Sequence, residues 1–135
     1  MPIQVEIVSP EKILVSKSVD MAVVPSVEGD LAAMEQHAPM IVLLRGGVVS
    51  LYEGDNVTDR LYVAGGFAEI TADRCTVLAD DAISPGEIDR GDAEKRLADA
   101  QEEWNQVDMT DLQAVPTAAD RLQVAQSRVD AAAEV

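Results

Sequence analysis

A single histidine is the first residue that invites a chemical interpretation. His37 is the only histidine among 135 residues and lies in the segment EGDLAAMEQHAPM, residues 28–40. Its imidazole could act as a base, a metal ligand, a pH sensor or a packed structural group. A catalytic base needs a nucleophile to activate, and no recognisable serine or cysteine motif accompanies this histidine. We therefore expect a structural or contact role for His37, in a rigid loop between strands.

The other reactive side chains form no constellation. Cys75 alternates with apolar residues in CTVLA, which favours a small buried apolar group, and a lone cysteine forms no internal disulfide. Neighbouring acids, as in Asp80-Asp81 and Glu102-Glu103, point to different faces of a helix or strand and predict solvated charge. GxGxxG, GxxxxGK[ST], HExxH, CxxC and GxSxG patterns are absent. We predict a protein that is not an enzyme and needs neither metal nor cofactor.

The charge of the chain argues against several classes of partner. Twenty-five acidic and 10 basic residues give a formal net charge of −15, which is repelled by nucleic acid backbones and anionic lipids. Charged residues interrupt every apolar run before it reaches the roughly 20 residues that a membrane helix needs. The first residues also lack the pattern of a secretory signal. We expect a soluble, intracellular protein that binds no nucleic acid and does not insert into lipid.

Two hydrophobic periods divide the chain into two predicted domains. In residues 1–84, apolar and polar residues alternate, as in Ile3–Ile7 and Val19–Val23. Further short apolar runs are separated by turn residues, and Gly65-Gly66 predicts a tight hairpin between the strands on either side. This spacing predicts an antiparallel β-sandwich or flattened barrel. The further runs are Met40–Leu44, Val48–Tyr52, Val57–Ala64, Phe67–Thr71 and Cys75–Ala79.

Residues 85–135 follow a helical period after the break at Ser84-Pro85-Gly86. Asp89 or Asp92 could cap a first helix, and Pro116 with Thr117 predicts the start of a second. Apolar residues recur every three or four positions in both stretches and predict an antiparallel helical hairpin, so the whole chain is an α+β protein. Because its seam is mostly alanine, the hairpin buries little area and is predicted to be mobile. The seam contains Ala93, Leu97, Ala100 and Trp104 in the first helix, and Ala118, Leu122, Ala125, Val129 and Ala132 in the second.

Several segments, in order, resemble one known family. They are IVSPEKILVS, VVPSVEGDL, HAPM followed by LLRGGVV, YVAGGFAEI, and CTVLADDA before the helices. Their order and spacing resemble the epsilon subunit of the F-type ATP synthase along essentially the whole chain. The resemblance implies a ten-stranded sandwich in a non-catalytic central-stalk subunit, which docks on the gamma subunit and touches the membrane rotor ring. Such a subunit couples proton-driven rotation to ATP synthesis from the cytoplasmic face of the bacterial inner membrane, as a peripheral part of the complex.

The resemblance also implies which residues make these contacts. The family's EGELG-x-x-PGHAPL segment falls on residues 28–40, where Asp30 matches an acid facing the ring loops and His37 a histidine at the gamma contact. Two departures occur, because Glu35-Gln36 replaces Pro-Gly and Ala32 replaces a glycine. The resemblance therefore implies a contact loop at residues 28–40 whose sequence near His37 departs from the family pattern. The implied contact residues are Asp30, Leu31, Met34, His37, Ala38, Pro39 and Met40.

In some members of the family the hairpin has regulatory roles. It can rise into the alpha/beta catalytic head, where basic residues of its second helix meet acidic loops and block ATP hydrolysis. Here residues 117–135 carry two arginines against three acids, so we predict weak inhibition by that route. Some members also bind ATP through an I/L-D-x-x-R-A motif, which matches Ile88, Asp89, Asp92 and Ala93. An acid stands where arginine should meet phosphate, so we predict no tight ATP binding.

Two hypotheses from other classes remain open at this point. One is a stand-alone β-sandwich that binds a ligand or partner and dimerises through its helices. It predicts self-association and a small-molecule pocket, whereas a stalk subunit is a monomer that binds gamma. The other is an enzyme that uses His37, whose activity would be lost in His37→Ala while the fold is kept.

Overall fold

The computed structural model describes residues 2–36 and 38–133. Ten strands are followed by a short 3₁₀ turn at Pro85–Glu87 and two helices, α1 (Arg90–Gln106) and α2 (Ala114–Ala133). This architecture confirms the predicted α+β class. The strands are β1 (Ile3–Val8), β2 (Ile13–Val19), β3 (Met21–Ser26), β4 (Gly29–Met34), β5 (Met40–Leu44), β6 (Gly47–Glu53), β7 (Asn56–Val63), β8 (Gly66–Ile70), β9 (Arg74–Ala79) and β10 (Ala82–Ile83).

The strands form one sheet that folds over on itself. Their order is β10-β7-β6-β3-β5-β8-β9-β1-β2, and β4 adds to β3. β3 meets β5 through the pair Ser26 and Leu44, which joins the two halves of the sheet. β1 lies parallel to β9, an exception to the predicted antiparallel pairing. Such a pair needs a long crossover connection, and the seven intervening strands supply it.

The core of the sandwich is built from residues that alternate along the strands. In β1, for example, Ile3, Val5 and Ile7 are buried while their neighbours are partly exposed. Branched side chains of this kind suit a pleated, half-buried surface. The fully buried members of the core also include Val19, Val24, Val49, Leu51, Val63, Ile70, Cys75 and Val77.

Two expectations about the strands are wrong. The alternating run Val19–Val23 spans a boundary, because β2 ends at Val19 and β3 begins at Met21. The strands around Gly65-Gly66 do not pair, since β7 pairs with β6 and β10 whereas β8 pairs with β5 and β9. Both glycines do have positive φ angles, 130° and 120°. They allow the turn that was expected, but a local turn signal does not specify which strand becomes the neighbour.

The helix boundaries follow from side-chain caps. The Asp89 carboxylate accepts a hydrogen bond from the Asp92 N–H at 3.1 Å and caps α1, as predicted. The expected start of α2 at Pro116-Thr117 is wrong, because Asp111 caps this helix instead by accepting from Gln113 N–H and Ala114 N–H. Pro116 lies in the first turn of α2, where proline is tolerated.

The two helices form an antiparallel hairpin. Arg121 of α2 pairs with Glu103 of α1, and nearer the other end Arg90 donates to the Ala132 carbonyl oxygen. Alanines are the buried residues of the seam, among them Ala93, Ala100, Ala118, Ala125 and Ala132. The larger side chains of the predicted seam, Leu97, Trp104, Leu122 and Val129, are half-buried. Mobility of the hairpin stays a prediction.

Candidate docking surfaces

Much of the expected contact loop is a β-strand rather than a loop. Residues 29–34 form β4, which runs antiparallel to β3 from Ser26 opposite Gly29 to Met21 opposite Met34. Asp30, Leu31 and Met34 therefore lie on an edge strand of the sandwich. Ala38 and Pro39 lie between β4 and β5, and Met40 begins β5. His37 lies outside the residues that the structure describes.

Asp30 is held in place by an arginine that the sequence did not single out. Its Oδ1 accepts a hydrogen bond from Arg45 Nη2 at 2.6 Å, and Arg45 Nε donates to the Ser26 carbonyl oxygen at 3.1 Å. The Asp30 side chain is still 65% exposed. The carboxylate is thus oriented and accessible to a partner. Fifteen positions separate the two residues in the chain, so only the β3–β4 pairing and the β5–β6 link bring them together.

A stripe of apolar side chains crosses five strands on the outer face of the sheet; four of them are exposed and Val8 is half-buried. Strand register places Leu43 opposite Phe67, Phe67 opposite Leu78, Leu78 opposite Val8, and Val8 opposite Ile13. Leu43 and Ile13 are 64% and 63% exposed. Neighbours at one register position share a face of the sheet. We call these five residues the apolar stripe.

The apolar stripe was missed because the strand analysis looked for one apolar face. β5 reads MIVLL and has an apolar residue at every position, so it presents apolar groups to both the core and the solvent. Ile41, two residues before Leu43, is 70% exposed and extends the same surface. An apolar surface of this kind on a chain with so much charge is a candidate protein interface. A strand that is apolar on both faces was the available signal.

The four residues of the degenerate ATP motif have structural roles. Ile88 and Ala93 are buried in a cluster with Tyr62, Ala131 and Ala132. The Asp89 carboxylate caps α1, and Asp92 forms an ion pair with Arg96 at 2.8 Å. No basic side chain stands at position 92 to meet a phosphate group.

The two arginines of α2 are engaged by groups of the same chain. Arg121 Nη1 lies 2.9 Å from Glu103 Oε1. The Arg128 guanidinium is nearly buried, stacks over the Tyr62 ring at 5.6 Å from its centroid, and lies 3.9 Å from Asp81 Oδ2. Its position combines a cation–π contact with a charge pair.

A hollow of about 440 Å³ lies beside these arginines, where the hairpin meets the sandwich. Its charged lining residues are Arg96, Arg121, Arg128, Asp81, Asp99, Glu103 and Asp120. Carboxylates outnumber guanidinium groups there, so the hollow offers no surplus of positive charge to an anion.

The remaining groups with possible chemistry are unreactive or isolated. Burial raises the pKa of the Cys75 thiol to about 11, which keeps it protonated and unreactive at neutral pH. Among the described residues, histidine, cysteine and carboxylates form no cluster able to hold a metal ion. Within that same part of the chain, neither helix has the length and apolar character needed to cross a membrane.

Comparisons with known sequences agree on one family. Residues 2–85 match the family model described as ATP synthase, Delta/Epsilon chain, beta-sandwich domain. The chain is 58% identical over 127 residues to the ATP synthase epsilon chain of Granulibacter bethesdensis, covering 94% of each protein. It is 47% identical over 132 residues to the epsilon chain of Gluconacetobacter diazotrophicus, covering 98% of this chain and 94% of the relative.

Solved structures share the fold at low sequence identity. A chain of the Euglena gracilis mitochondrial ATP synthase, in an OSCP/F1/c-ring structure, is similar with a TM-score of 0.76 and 19% identity, over 93% of this chain and 78% of that one. A chain of the central stalk and c-ring of the Tetrahymena thermophila enzyme has a TM-score of 0.69 and 17% identity, over 98% of this chain and 97% of that one. The sandwich followed by two helices is thus a known arrangement.

Proposed function

This chain belongs to the ATP synthase delta/epsilon family, and from that premise we propose that it is a non-catalytic rotor subunit of a bacterial ATP synthase. High identity to epsilon chains over nearly the full length supports the assignment. The absence of a recognisable nucleophile and base pattern in the sequence agrees with a role that involves no chemistry. The subunit transmits rotation between the membrane ring and the catalytic head, as a peripheral component on the cytoplasmic side of the inner membrane.

The apolar stripe is the observation that carries the proposed contact with the gamma subunit. It consists of apolar side chains on a rigid sheet, and a few well-packed side chains near the centre of an interface usually supply most of its binding energy. Leu43 and Phe67 are adjacent across β5 and β8, at the β5 end of the sheet half that carries the stripe. Both are large and accessible, and they are the proposed anchors.

Asp30 and the β4 edge are the proposed contact with the rotor ring. The Asp30 carboxylate is exposed and oriented by Arg45, and Met34 on the same strand is 50% exposed. A rim charge of this kind contributes more to register and partner choice than to affinity. The remaining implied contact residues, including His37, are retained as proposed members of these two surfaces.

The experiment that tests the proposal measures the affinity of the full chain for purified gamma subunit. Leu43→Asp and Phe67→Asp should each weaken binding by about thirtyfold or more, the effect of losing an interface anchor. Leu112→Asp is the matched control, because Leu112 is 87% exposed on the hairpin loop, outside the stripe.

An equal loss of affinity in the Leu112 variant would contradict the assignment of the stripe. Binding that stays unchanged in both stripe variants would contradict it as well. Variants that convert a dimer of the isolated chain into a monomer, without any effect on gamma binding, would instead support the self-associating module.

A further inference from the structure

One of the contacts between the hairpin and the sandwich is made by a glycine. Gly46 lies in the link between β5 and β6, and its N–H donates to Gln123 Oε1 of α2 at 2.9 Å. Gln123 Nε2 in turn donates to the Gly46 carbonyl oxygen at 2.8 Å. One side-chain amide therefore satisfies both backbone groups of a buried residue, which would be costly to leave unpaired.

Tyr62 adds a second polar contact beside this pair. Its hydroxyl donates to the Val124 carbonyl oxygen at 2.9 Å and lies 3.0 Å from Ser127 Oγ. Both partners are on α2, within four residues of Gln123. The Tyr62 ring is fully buried and belongs to the cluster that joins the sandwich to the helices.

The apolar part of this junction is small. Besides Tyr62, the buried residues of the junction cluster are Ile88, Ala93, Ala131 and Ala132. Alanine offers little area to bury, and burial energy scales with area. The hydrogen bonds at Gly46 and Tyr62 are therefore a large share of what distinguishes a docked hairpin from a free one.

The absence of a side chain at position 46 lets α2 pack closely against the β5–β6 link. A Cβ there would lie 2.5 Å from Ser127 Oγ and 3.0 Å from Val124 Cα. Both atoms belong to α2, so a side chain at position 46 would press against the helix and force it or the Ser127 side chain to shift. The next residue differs, because a Cβ on Gly47 would meet Pro25 Cβ of strand β3 at 2.7 Å, inside the sandwich.

We propose that the paired hydrogen bonds between the Gln123 side chain and the Gly46 backbone, which we call the latch, set the equilibrium between a docked and an undocked hairpin. Neither residue belongs to the contact surfaces or the ATP motif discussed above. The latch follows from the fold and does not depend on the proposed rotor function.

The test is amide hydrogen exchange on the full chain, with Gly46→Ala and Gln123→Ala compared with the unaltered protein. Most of the stability of a helix in a protein comes from its tertiary packing, so α2 amides should exchange faster when the hairpin leaves the sandwich. Gln123→Ala removes two hydrogen bonds, and Gly46→Ala places a methyl group against α2. Each variant should speed exchange in α2 about tenfold, while β6 and β7 keep their rates. Gln126→Ala is the matched control and should change nothing, because Gln126 is exposed and bonds to Asp130 on its own helix.

Substitution of the neighbouring Gly47 should give the opposite pattern of amide exchange, with faster rates in the sandwich and unchanged rates in α2. Gly47→Ala should speed exchange in β3 and β6 because its new methyl group strikes Pro25. The latch is refuted if α2 exchange is unchanged in both latch variants, or if β6 and β7 accelerate in step with α2. The second result would make Gly46 an ordinary turn residue of the sandwich.

Discussion

The interiors of the sandwich and the hairpin are built from different kinds of side chain. The sandwich encloses isoleucine, valine and leucine side chains, each worth about 1.5 to 3 kcal/mol when fully buried. The hairpin encloses mainly alanines, and its larger apolar residues stay half-buried. Its attachment depends on polar bonds at Gly46 and Tyr62. One chain thus contains a platform that is stable through its core and an appendage whose docking we expect a few hydrogen bonds to control.

The largest expected effect contrasts the two interiors directly. Leu51 is fully buried in the sandwich, so Leu51→Ala should lower the free energy of unfolding by about 2 to 5 kcal/mol. Leu97 is half-buried in the hairpin, so Leu97→Ala should cost less than half of that amount. Urea denaturation measures both values, with Leu112→Ala as a control that should change stability by no more than about 0.5 kcal/mol. Equal losses for Leu51 and Leu97 would show that the hairpin has a core of comparable strength.

A smaller effect concerns the cap of α2 and its dependence on pH. Hydrogen bonds from the backbone N–H groups of Ala114 and Gln113 lower the pKa of Asp111 from its ordinary value of 3.8. A lowered pKa in the folded state means that the stabilisation is complete above the unfolded value and disappears as pH falls through the folded value. Helix content of the hairpin should therefore decline below about pH 4.

Two variants isolate this contribution from the other carboxylates. Asp111→Asn keeps a neutral acceptor at the cap and should remove the part of the decline that Asp111 causes. Asp111→Ala should fray the first turn of α2 at every pH. Circular dichroism and amide exchange report both results, and an Asp111→Ala chain that keeps the original pH dependence would contradict the assignment.

A still smaller effect is expected on ATP hydrolysis by the whole complex. Removal of residues 88–135 should leave the hydrolysis rate nearly unchanged, because the α2 arginines are occupied by Glu103, Asp81 and Tyr62. The core cluster of the sandwich contains no helix residues, so the platform should remain folded. A severalfold rise in hydrolysis upon truncation would show that this hairpin is an effective inhibitor.

The smallest expected effect is the heat of ATP binding to the isolated chain. Asp92 is paired with Arg96 and Asp89 caps α1, so calorimetry should detect no micromolar affinity. Asp92→Arg is an informative companion variant, since it restores the family's charge at that position. Micromolar binding by the unaltered chain would overturn the conclusion that the motif is structural.

Local sequence patterns predicted the strands and helices better than they predicted which strands lie next to each other in the sheet. Alternation found β1, and the acid at position 89 was recognised as a possible cap for α1, because both depend on residues close in sequence. The β3–β4 hairpin was missed because GDLAAM in β4 is weakly apolar and was interpreted as a loop. The start of α2 was misplaced because Pro116 is acceptable inside a first turn as well as before one.

For the contact surfaces too, features that depend on residues close in sequence were predicted, and features that depend on distant residues were not. The resemblance identified residues 28–40 as a contact segment, yet Arg45, which orients Asp30, could not be found from spacing. The apolar stripe depends on the register of four strand pairs, two of which join residues more than 20 positions apart in the chain. Short-range periodicity carries no information about such pairings.

By itself, the sequence determined the two architectures, the caps available to the first helix, the acidic surface and the family. These depend on composition and on contacts between residues a few positions apart. Only the tertiary structure decided the partners of β7 and β8, the apolar stripe, and the contact of Gln123 with Gly46. Those features arise because long-range packing brings distant residues together, and their free energies depend on burial and geometry that no local pattern encodes.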